Sequence, residues 1–238
     1  MRLIGIVAAH GVELRPVLRH VTGRRTHQGI VFGRLRGCPV ALQAVGQGWS
    51  RAYWAAIRFF EVTHCAGVVI TGFAGATEAG WAVGDLLMPD KVMDLRHDED
   101  GRDGPSYRPP FPVSSWRTQL GFRGGVLGTV AGVVVEPWDK AQLGSRLGVA
   151  AVDLETAAVA AVATHDGVPW VAARVILDPA DRPLGVVSVW HAALLAVSVT
   201  GWGRLMQFGR DLAVAQRRLG DRIGDVVEIA DQALASHH

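Results

Sequence analysis

The sequence predicts a single α/β domain built around a largely buried β-sheet. Short apolar runs rich in β-branched residues alternate with longer segments of helical periodicity along the 238-residue chain. Apolar residues make up 49% and charged residues 19% of the sequence, which is typical of a folded globular protein. No internal repeat or low-complexity linker divides the chain, so we expect one domain over residues 1–238.

The elements of the first half are predicted from β-branched apolar runs that end at glycine. The run ending at Ala8 opens the sheet, and Gly37 separates two further runs as the turn of a hairpin. Gly46 and Gly48 end the third strand, a helix with one apolar face follows, and Gly72 bounds the next strand. In order, we predict strands at Ile4–Ala8, Gly29–Arg36 and Cys38–Val45, a helix at Arg51–Thr63, and strands at Ala66–Thr71 and Gly84–Val92.

Residues 94–116 interrupt this alternation. The part from Arg96 to Pro105 is polar and charged, and further prolines follow, so we predict a loop or lid over a site. Beyond it, the alternation of strands and helices returns. We predict one or two short strands in Gly125–Val135, a helix at Lys140–Leu147, a strand at Val149–Val152, a helix at Glu155–His165, a strand at Trp170–Leu177, and then helices, of which Asp225–Ser236 is the last.

Composition excludes several classes of protein. The 24 basic and 22 acidic residues leave a net charge of +2, which does not indicate a nucleic-acid-binding protein, and the basic run Arg15–Arg25 is explained by a solvated face. Cys38 and Cys65 are the only cysteines, so neither a disulfide scaffold nor a Cys-based metal site is predicted. The first residues lack the features of a signal peptide. We therefore expect a reducing, cytoplasmic location.

An uncharged stretch lies between Arg182 and Arg204, and its part Val186–Val199 is strongly apolar. Its length approaches that of a membrane span. Ser188, His191 and several glycines within the stretch favour a buried or partly buried helix instead. The remaining alternative is contact with a very apolar ligand or with a membrane surface.

Carboxylates and glycine turns follow several of the predicted strands. Glu13 comes shortly after the first strand, Glu155 opens a helix after a strand, and Asp178 ends another strand. Gly46–Ser50 and Gly72–Ala76 are the glycine-containing turns. Because ligands gather at the carboxyl ends of strands in an open α/β sheet, we expect these features to converge on one cleft.

Each of these residues also has a purely structural explanation. A carboxylate such as Glu155 is favoured in the first turn of a helix, where Asp153 would serve as N-cap. Asp178 precedes Pro179 and could form an Asx-turn, and Glu13 could lie on a surface loop. The glycines do not form the G-x-G-x-x-G pattern, so no dinucleotide site is predicted.

The motifs taken together resemble the nucleoside phosphorylase and methylthioadenosine/S-adenosylhomocysteine nucleosidase superfamily. The resemblance covers about residues 2–181, and its motifs occur in the family's order. They are Ile4–Ala9 with Glu13, Val45–Gly48, Ile70–Gly75, Val83–Leu87, Ala151–Glu155 and Arg174–Asp178.

This resemblance implies a central mixed, partly barrel-like sheet flanked by helices, and cleavage of the bond between a purine and its sugar. Asp178 would protonate the leaving base, Glu155 would bind the ribose hydroxyls, and Glu13 would activate water. No cofactor or metal is implied, only water or inorganic phosphate as co-substrate, and the family habit is a homodimer or larger homo-oligomer. The substrate-binding residues that it implies are Gly48, Trp49, Ser50, Gly72, Phe73, Asp153, Leu154 and Glu155. Gly125–Val134 would make backbone contacts to the purine.

Two departures from the family pattern make the predicted pocket more apolar: Leu177 stands where serine or alanine is usual, and Phe73 stands where serine is usual. Phosphate binding is represented only by the glycine turns with Ser50 and Arg51, so hydrolysis and phosphorolysis both stay open.

The segment Asp178–Leu184 resembles the hopanoid-associated phosphorylases, which implies removal of adenine from adenosylhopane, a nucleoside with a polycyclic hydrocarbon at its 5′ end. Aromatic residues that could line an apolar 5′ channel, or belong to the core or an interface, are Trp49, Phe73, Trp190 and Trp202. The alternative substrates are methylthioadenosine, S-adenosylhomocysteine and simple purine nucleosides. A non-catalytic nucleoside-binding protein is the alternative of another class.

Overall fold

The computed structural model describes residues 2–96, 104–184 and 199–236, without the side chains of 199–202 and 204. Within these residues, eleven strands form one mixed sheet, and helices pack on both of its faces, which confirms the predicted fold class. The strands are β1 (Ile4–Ala8), β2 (Thr22–His27), β3 (Ile30–Leu35), β4 (Cys38–Ala44), β5 (Gly67–Ala76), β6 (Leu86–Leu87), β7 (Lys91–Asp94), β8 (Ser106–Tyr107), β9 (Val126–Thr129), β10 (Ala151–Asp153) and β11 (Trp170–Asp178). The helices are α1 (Gly11–Leu18), α2 (Trp49–Thr63), α3 (Val113–Leu120), α4 (Pro137–Leu147), α5 (Thr156–His165) and α6 (Val199–Ser236).

β5 is the strand on which the sheet branches. Its first part, Gly67–Ile70, pairs with β1 in parallel, and its end, Gly75–Ala76, pairs with β10 in the antiparallel direction. β11 runs parallel to β5 along the opposite edge, as far as the pair Asp178 and Gly75. Because β1, β5 and β11 share one direction, their carboxyl ends lie at the same edge of the sheet.

Two sets of helices close the two faces of this sheet. α1, α3 and α6 bury apolar side chains against one face, and α2 and α5 bury theirs against the other. α5 is rich in alanine, and its residues Ala157–Ala160 are completely buried. Side chains this small allow α5 to pack closely between α2 and the sheet. This packing fixes the start of α5, where Glu155 lies.

Several predicted boundaries change in the structure. The predicted strand at Gly84–Val92 is two strands, β6 and β7, because Pro89 lacks the amide hydrogen that a continuous ladder needs. β5 does not stop at Gly72 but continues to Ala76. α2 begins at Trp49, two positions before the predicted start. α1 and β2 were not predicted, because α1 contains Pro16 and every residue of β2 is exposed.

Part of the predicted 94–116 loop has regular structure. β8 pairs with β7, and α3 begins at Val113. Residues 97–103 lie outside the described part of the chain, so a lid remains a prediction. Most of the apolar stretch 186–199, with Trp190, also lies outside it, and so does the side chain of Trp202. Among the described residues, no helix has the length and apolarity to cross a membrane.

Candidate active site

A cavity of about 200 Å³ opens over the second half of β5, where the ends of β1, β10 and β11 meet. Its wall contains all three predicted catalytic carboxylates, Glu13, Glu155 and Asp178. The described residues of the wall are Ala9, His10, Glu13, Gln47, Phe73, Ala74, Gly75, Val130, Gly132, Val133, Val134, Val152, Asp153, Leu154, Glu155, Leu177, Asp178 and Leu184.

Glu13 lies in the first turn of α1 and is 4% exposed, so it is not a residue of a surface loop. Its Oε2 accepts a hydrogen bond from the His10 amide at 2.8 Å, and its Oε1 accepts one from the Phe73 amide at 2.8 Å. Burial raises the pKa of Glu13, while the charge of Arg174 and the two amide hydrogen bonds oppose this rise. The carboxyl group is therefore fixed by main-chain donors from α1 and β5.

Gly72 makes room for this carboxyl group. It was predicted to start a turn, but it lies inside β5 with φ at +140°, a conformation that favours glycine. A Cβ atom on Gly72 would lie 2.5 Å from Oε1 of Glu13 and would also clash with the guanidinium of Arg174. The missing side chain of Gly72 therefore allows Glu13 and Arg174 to approach the strand.

We expect Gly72→Ala to lower the free energy of unfolding by about 1–3 kcal/mol or more, because both the added methyl group and the backbone conformation are unfavourable. Urea unfolding monitored by circular dichroism measures this loss. Gly209→Ala is the matched control, because Gly209 lies in α6 with open space around its position. A variant of Gly72 as stable as the wild type would contradict the packing described above.

Glu155 is the N-cap residue of α5, because the helix begins at Thr156, one position after its predicted start. Its Oε1 accepts a hydrogen bond from the Gly48 amide at 2.8 Å, which brings the first glycine turn to the cavity. Burial and the nearby charge of Asp153 raise the pKa of Glu155 to about 7, and Arg174 opposes this rise. The protein therefore holds Glu155 through only one of its two carboxyl oxygens, and the group can exchange protons near neutral pH.

The carboxylate of Asp153 is fully occupied by contacts with other residues of the protein. Its carboxylate forms an ion pair with Arg174 at 2.6 Å and accepts hydrogen bonds from the Thr129 hydroxyl at 2.7 Å and from the Thr156 hydroxyl. It also accepts from the Thr156 amide at 3.2 Å, so its side chain satisfies a free donor at the start of α5. Asp153 lies in the cavity wall, but these contacts give it a structural task beneath Glu155.

Arg174 is a buried cation of the candidate site that was not among the predicted site residues. Its side chain is 1% exposed and lies among the carboxylates of Asp153, Glu13 and Glu155. It also donates to the Thr71 carbonyl at 2.9 Å. A signal was present, because a charged residue in the middle of an apolar strand must find a buried partner.

Asp178 ends β11 and lies on the other side of the cavity wall, 7% exposed. Lys140 from α4 forms an ion pair with its Oδ2 at 2.6 Å. Burial raises the pKa of Asp178 to about 6, although the hydrogen bond and charge of Lys140 and the charge of Arg182 oppose the rise. A carboxyl group with this pKa is partly protonated near neutral pH and can donate a proton.

The rest of the described wall is mainly apolar. Phe73 and Leu177, the two departures from the family pattern, both line the cavity, and so does Leu154. From the predicted purine-contacting segment, Val130 and residues 132–134 contribute to the wall.

Four predicted binding residues do not line the cavity: Gly48, Trp49, Ser50 and Gly72. Gly48 and Gly72 act on it through Glu155 and Glu13. Trp49 stacks on Tyr53 with ring centroids 4.7 Å apart, and the guanidinium of Arg96 lies 3.8 Å above its ring. Ser50 is exposed. This geometry therefore does not favour direct contact of Trp49 or Ser50 with the substrate.

No cluster of histidine, cysteine and carboxylate side chains suited to a metal ion occurs in residues 2–96, 104–184 and 199–236. What the described wall does offer is acid–base chemistry, with a raised pKa for each of Glu13, Glu155 and Asp178.

Comparison with solved structures finds the same fold. The chain superposes on the 5′-methylthioadenosine/S-adenosylhomocysteine nucleosidase of Helicobacter pylori with a TM-score of 0.76 and 18% identity, over 95% of this chain and 98% of that one. A futalosine hydrolase mutant of the same organism gives 0.76 and 17%, over 96% and 99% of the two chains. The Neisseria meningitidis nucleosidase gives 0.74 and 17%, over 95% and 99%. A comparison with curated proteins finds no match.

Comparison of the sequence with protein-family models identifies the family. Residues 3–193 match the model of the phosphorylase superfamily, which covers most of the chain and includes every carboxylate of the cavity. The chain therefore belongs to the phosphorylase superfamily.

Proposed function

We propose that this protein hydrolyses the N-glycosidic bond of a purine nucleoside. The observation that carries the proposal is the convergence of Glu13, Glu155 and Asp178 on one cavity from three separate strand ends. Cleavage builds positive charge on the ribose ring and negative charge on the departing purine. Carboxylates can stabilise the positive charge on the sugar, and a protonated carboxyl group can neutralise the negative charge on the base.

Asp178 is assigned as the general acid. As the bond between C1′ and N9 breaks, its electron pair moves into the purine, and the proton of the Asp178 carboxyl group goes to N7. The raised pKa of Asp178 supports this role, because a general acid must hold its proton near the working pH.

Glu155 is assigned to the ribose. The Gly48 amide occupies its Oε1, so Oε2 is the oxygen that can accept hydrogen bonds from the ribose hydroxyls. A carboxylate at this position also stabilises the cationic character that develops on the ring.

Glu13 is assigned to the water molecule. The water oxygen bonds to C1′, and its proton passes to the Glu13 carboxylate. Together with the proton donated by Asp178, this step consumes one water molecule and yields the free base and the free sugar. The main-chain donors from His10 and Phe73 hold the carboxylate in one orientation for this task.

The negative charge of the cavity wall favours water over phosphate as the nucleophile. Among the described wall residues there are four carboxylates and no lysine or arginine, an unfavourable surface for a phosphate dianion. Arg51 is exposed, and its aliphatic stem packs against Gly46. The Gly48 amide, a donor that a phosphate would use, is already taken by Glu155.

For the substrate, we propose a nucleoside with an apolar 5′ group, with adenosylhopane as the candidate given by the resemblance of Asp178–Leu184. The positions of Phe73 and Leu177 in the wall support an apolar substrate. The second candidate is 5′-methylthioadenosine, the ligand of a structurally similar nucleosidase variant from Helicobacter pylori.

The test is to incubate the protein with adenosylhopane, 5′-methylthioadenosine and inosine, each with and without phosphate, and to measure the free base. We expect base release that does not depend on phosphate and is fastest with adenosylhopane. Glu13→Gln, prepared in parallel, controls for contaminating nucleosidases. Release only with phosphate, together with a sugar 1-phosphate, would replace hydrolysis by phosphorolysis. Binding of all three nucleosides without release would identify a non-catalytic binding protein.

The resemblance also leads us to propose a homodimer or larger homo-oligomer in the cytoplasm. With a lipid-like substrate, peripheral contact with a membrane surface would accompany this assembly. Light scattering and co-sedimentation with phospholipid vesicles measure the two properties separately.

A further inference from the structure

Lys140 is a buried lysine whose position is unusual for its residue type. It lies in the first turns of α4, and its side chain is 1% exposed. Transfer of an ammonium group from water to a protein interior is costly unless the group is paired and hydrogen-bonded. A lysine held this deeply therefore needs partners that compensate for the lost water.

The ammonium group has a partner for each of its three hydrogens. It forms the 2.6 Å ion pair with Oδ2 of Asp178, and it donates to the carbonyl oxygens of Pro179 at 3.0 Å and Arg182 at 2.9 Å. Lysine has three donors and no acceptor, so this arrangement uses its full capacity. All three partners belong to the end of β11 and the chain directly after it.

These contacts determine how the Asp178 carboxyl group is presented. Oδ2 is held by Lys140, and it lies so close to β5 that a Cβ atom on Gly75 would be only 3.3 Å from it. Oδ1 is left as the oxygen for a further partner. Because Asp178 lies in the cavity wall, a proton on Oδ1 is available to a bound base.

The same contacts fix the chain that continues the cavity wall. Beyond the carbonyl of Arg182, the Leu184 amide donates to the Val135 carbonyl at 3.1 Å, and Leu184 lines the cavity. The Arg182 side chain forms an ion pair with Asp211 of α6 at 2.7 Å. One ammonium group thus ties the acid to the adjoining wall.

We infer that Lys140 is a positioning residue for Asp178: its ammonium group holds Oδ2 and the carbonyls of Pro179 and Arg182, so that Oδ1 faces the leaving base. The inference rests on the proposed function, in which Asp178 is the general acid. The other charged groups that act on Asp178 are Arg182 and Asp181 from its own segment, and Arg182 is shared with Asp211 of α6.

Two variants separate positioning from simple packing. Lys140→Met removes the group that holds Oδ2, so we expect kcat to fall about 10- to 100-fold as the acid loses its orientation. It also removes the positive charge that favours the carboxylate. The alkaline limb of kcat/KM should move to higher pH by about one unit, with KM changing little. Lys140→Arg keeps the charge, so its alkaline limb should stay at the wild-type position while kcat falls less. Asp139→Asn, at an exposed neighbour on α4, is the control and should change neither.

A folded Lys140→Met protein with the wild-type alkaline limb would overturn the inference. Carbon-13 NMR of the Asp178 carboxyl group and nitrogen-15 NMR of the Lys140 ammonium group test it without activity and, if the variants do not fold, in the wild type alone. The nitrogen-15 shift of Lys140 should follow the protonation of Asp178, because the two groups are in direct contact. A Lys140 signal that does not respond to Asp178 would again overturn the inference. A coupled response in a protein that releases no base from any nucleoside would refute the proposed function but leave the contact between the two residues intact.

Discussion

Replacing Asp178 with asparagine is expected to lower kcat for base release by a factor of at least about 100, the usual contribution of a general acid. Asparagine keeps the shape of the side chain but has no acidic proton for N7. The wild type should lose kcat/KM as the pH rises above about 6, because the protonated fraction of Asp178 declines there. The variant should lack this alkaline limb. Steady-state kinetics between pH 5 and pH 9 measure both effects.

A modified substrate distinguishes proton donation from structural damage. A purine nucleoside methylated at N7 carries a fixed positive charge on its base and leaves without protonation. Its cleavage should therefore depend much less on Asp178. Asp139→Asn is the matched control, because Asp139 is an exposed aspartate that does not line the cavity. An Asp178→Asn protein with near wild-type kcat on the unmodified nucleoside would remove Asp178 from its assigned role.

Arg174→Met is expected to lower the free energy of unfolding by roughly 3–5 kcal/mol, because it leaves a buried carboxylate without its cation. Asp153 would lose the 2.6 Å ion pair, and the Thr71 carbonyl would lose its donor. Urea unfolding measures the loss. Arg174→Lys retains a charge and should lose less, and Arg58→Met, at an exposed position of α2, should be nearly neutral.

The stability deficit of Arg174→Met should depend on pH. The folded-state pKa values of Glu13 and Glu155 are raised, so the stability linked to their protonated forms is present in acid and is lost as the pH rises. Arg174 limits this loss because it lowers both pKa values. The deficit should therefore be smallest near pH 4 and grow as the pH passes 7. A deficit that is the same at every pH would show that Arg174 acts through packing alone.

The sequence predicted that the candidate carboxylates would meet at one cleft, because parallel strands bring distant segments to one edge of a sheet. Glu13, Glu155 and Asp178 were each weak signals, and the fold unites them in one cavity. The sequence could not show which cations pair with the buried carboxylates. Arg174 lies in the motif Arg174–Asp178 and Lys140 in a predicted helix, but only the three-dimensional arrangement brings them to Asp153 and Asp178.

The glycines show a second limit of sequence reasoning. Gly72 was interpreted as turn chemistry, because glycine after an apolar run usually ends a strand. The strand continues, and the absence of a side chain serves Glu13 and Arg174 instead. Trp49 and Ser50 were expected at the substrate from the family resemblance, but neither lines the cavity. From this turn, Gln47 contributes to the wall and the amide of Gly48 donates to Glu155.

The hydrogen bond between Phe73 and Glu13 comes from the main chain, while the side chain of Phe73 faces the cavity. The identity of residue 73 can therefore change without removing the donor that holds Glu13. Substrate selectivity and the orientation of Glu13 are therefore separable at this position. A library of side chains at residue 73 is a direct route to altered substrate preference with the three candidate carboxylates left in place.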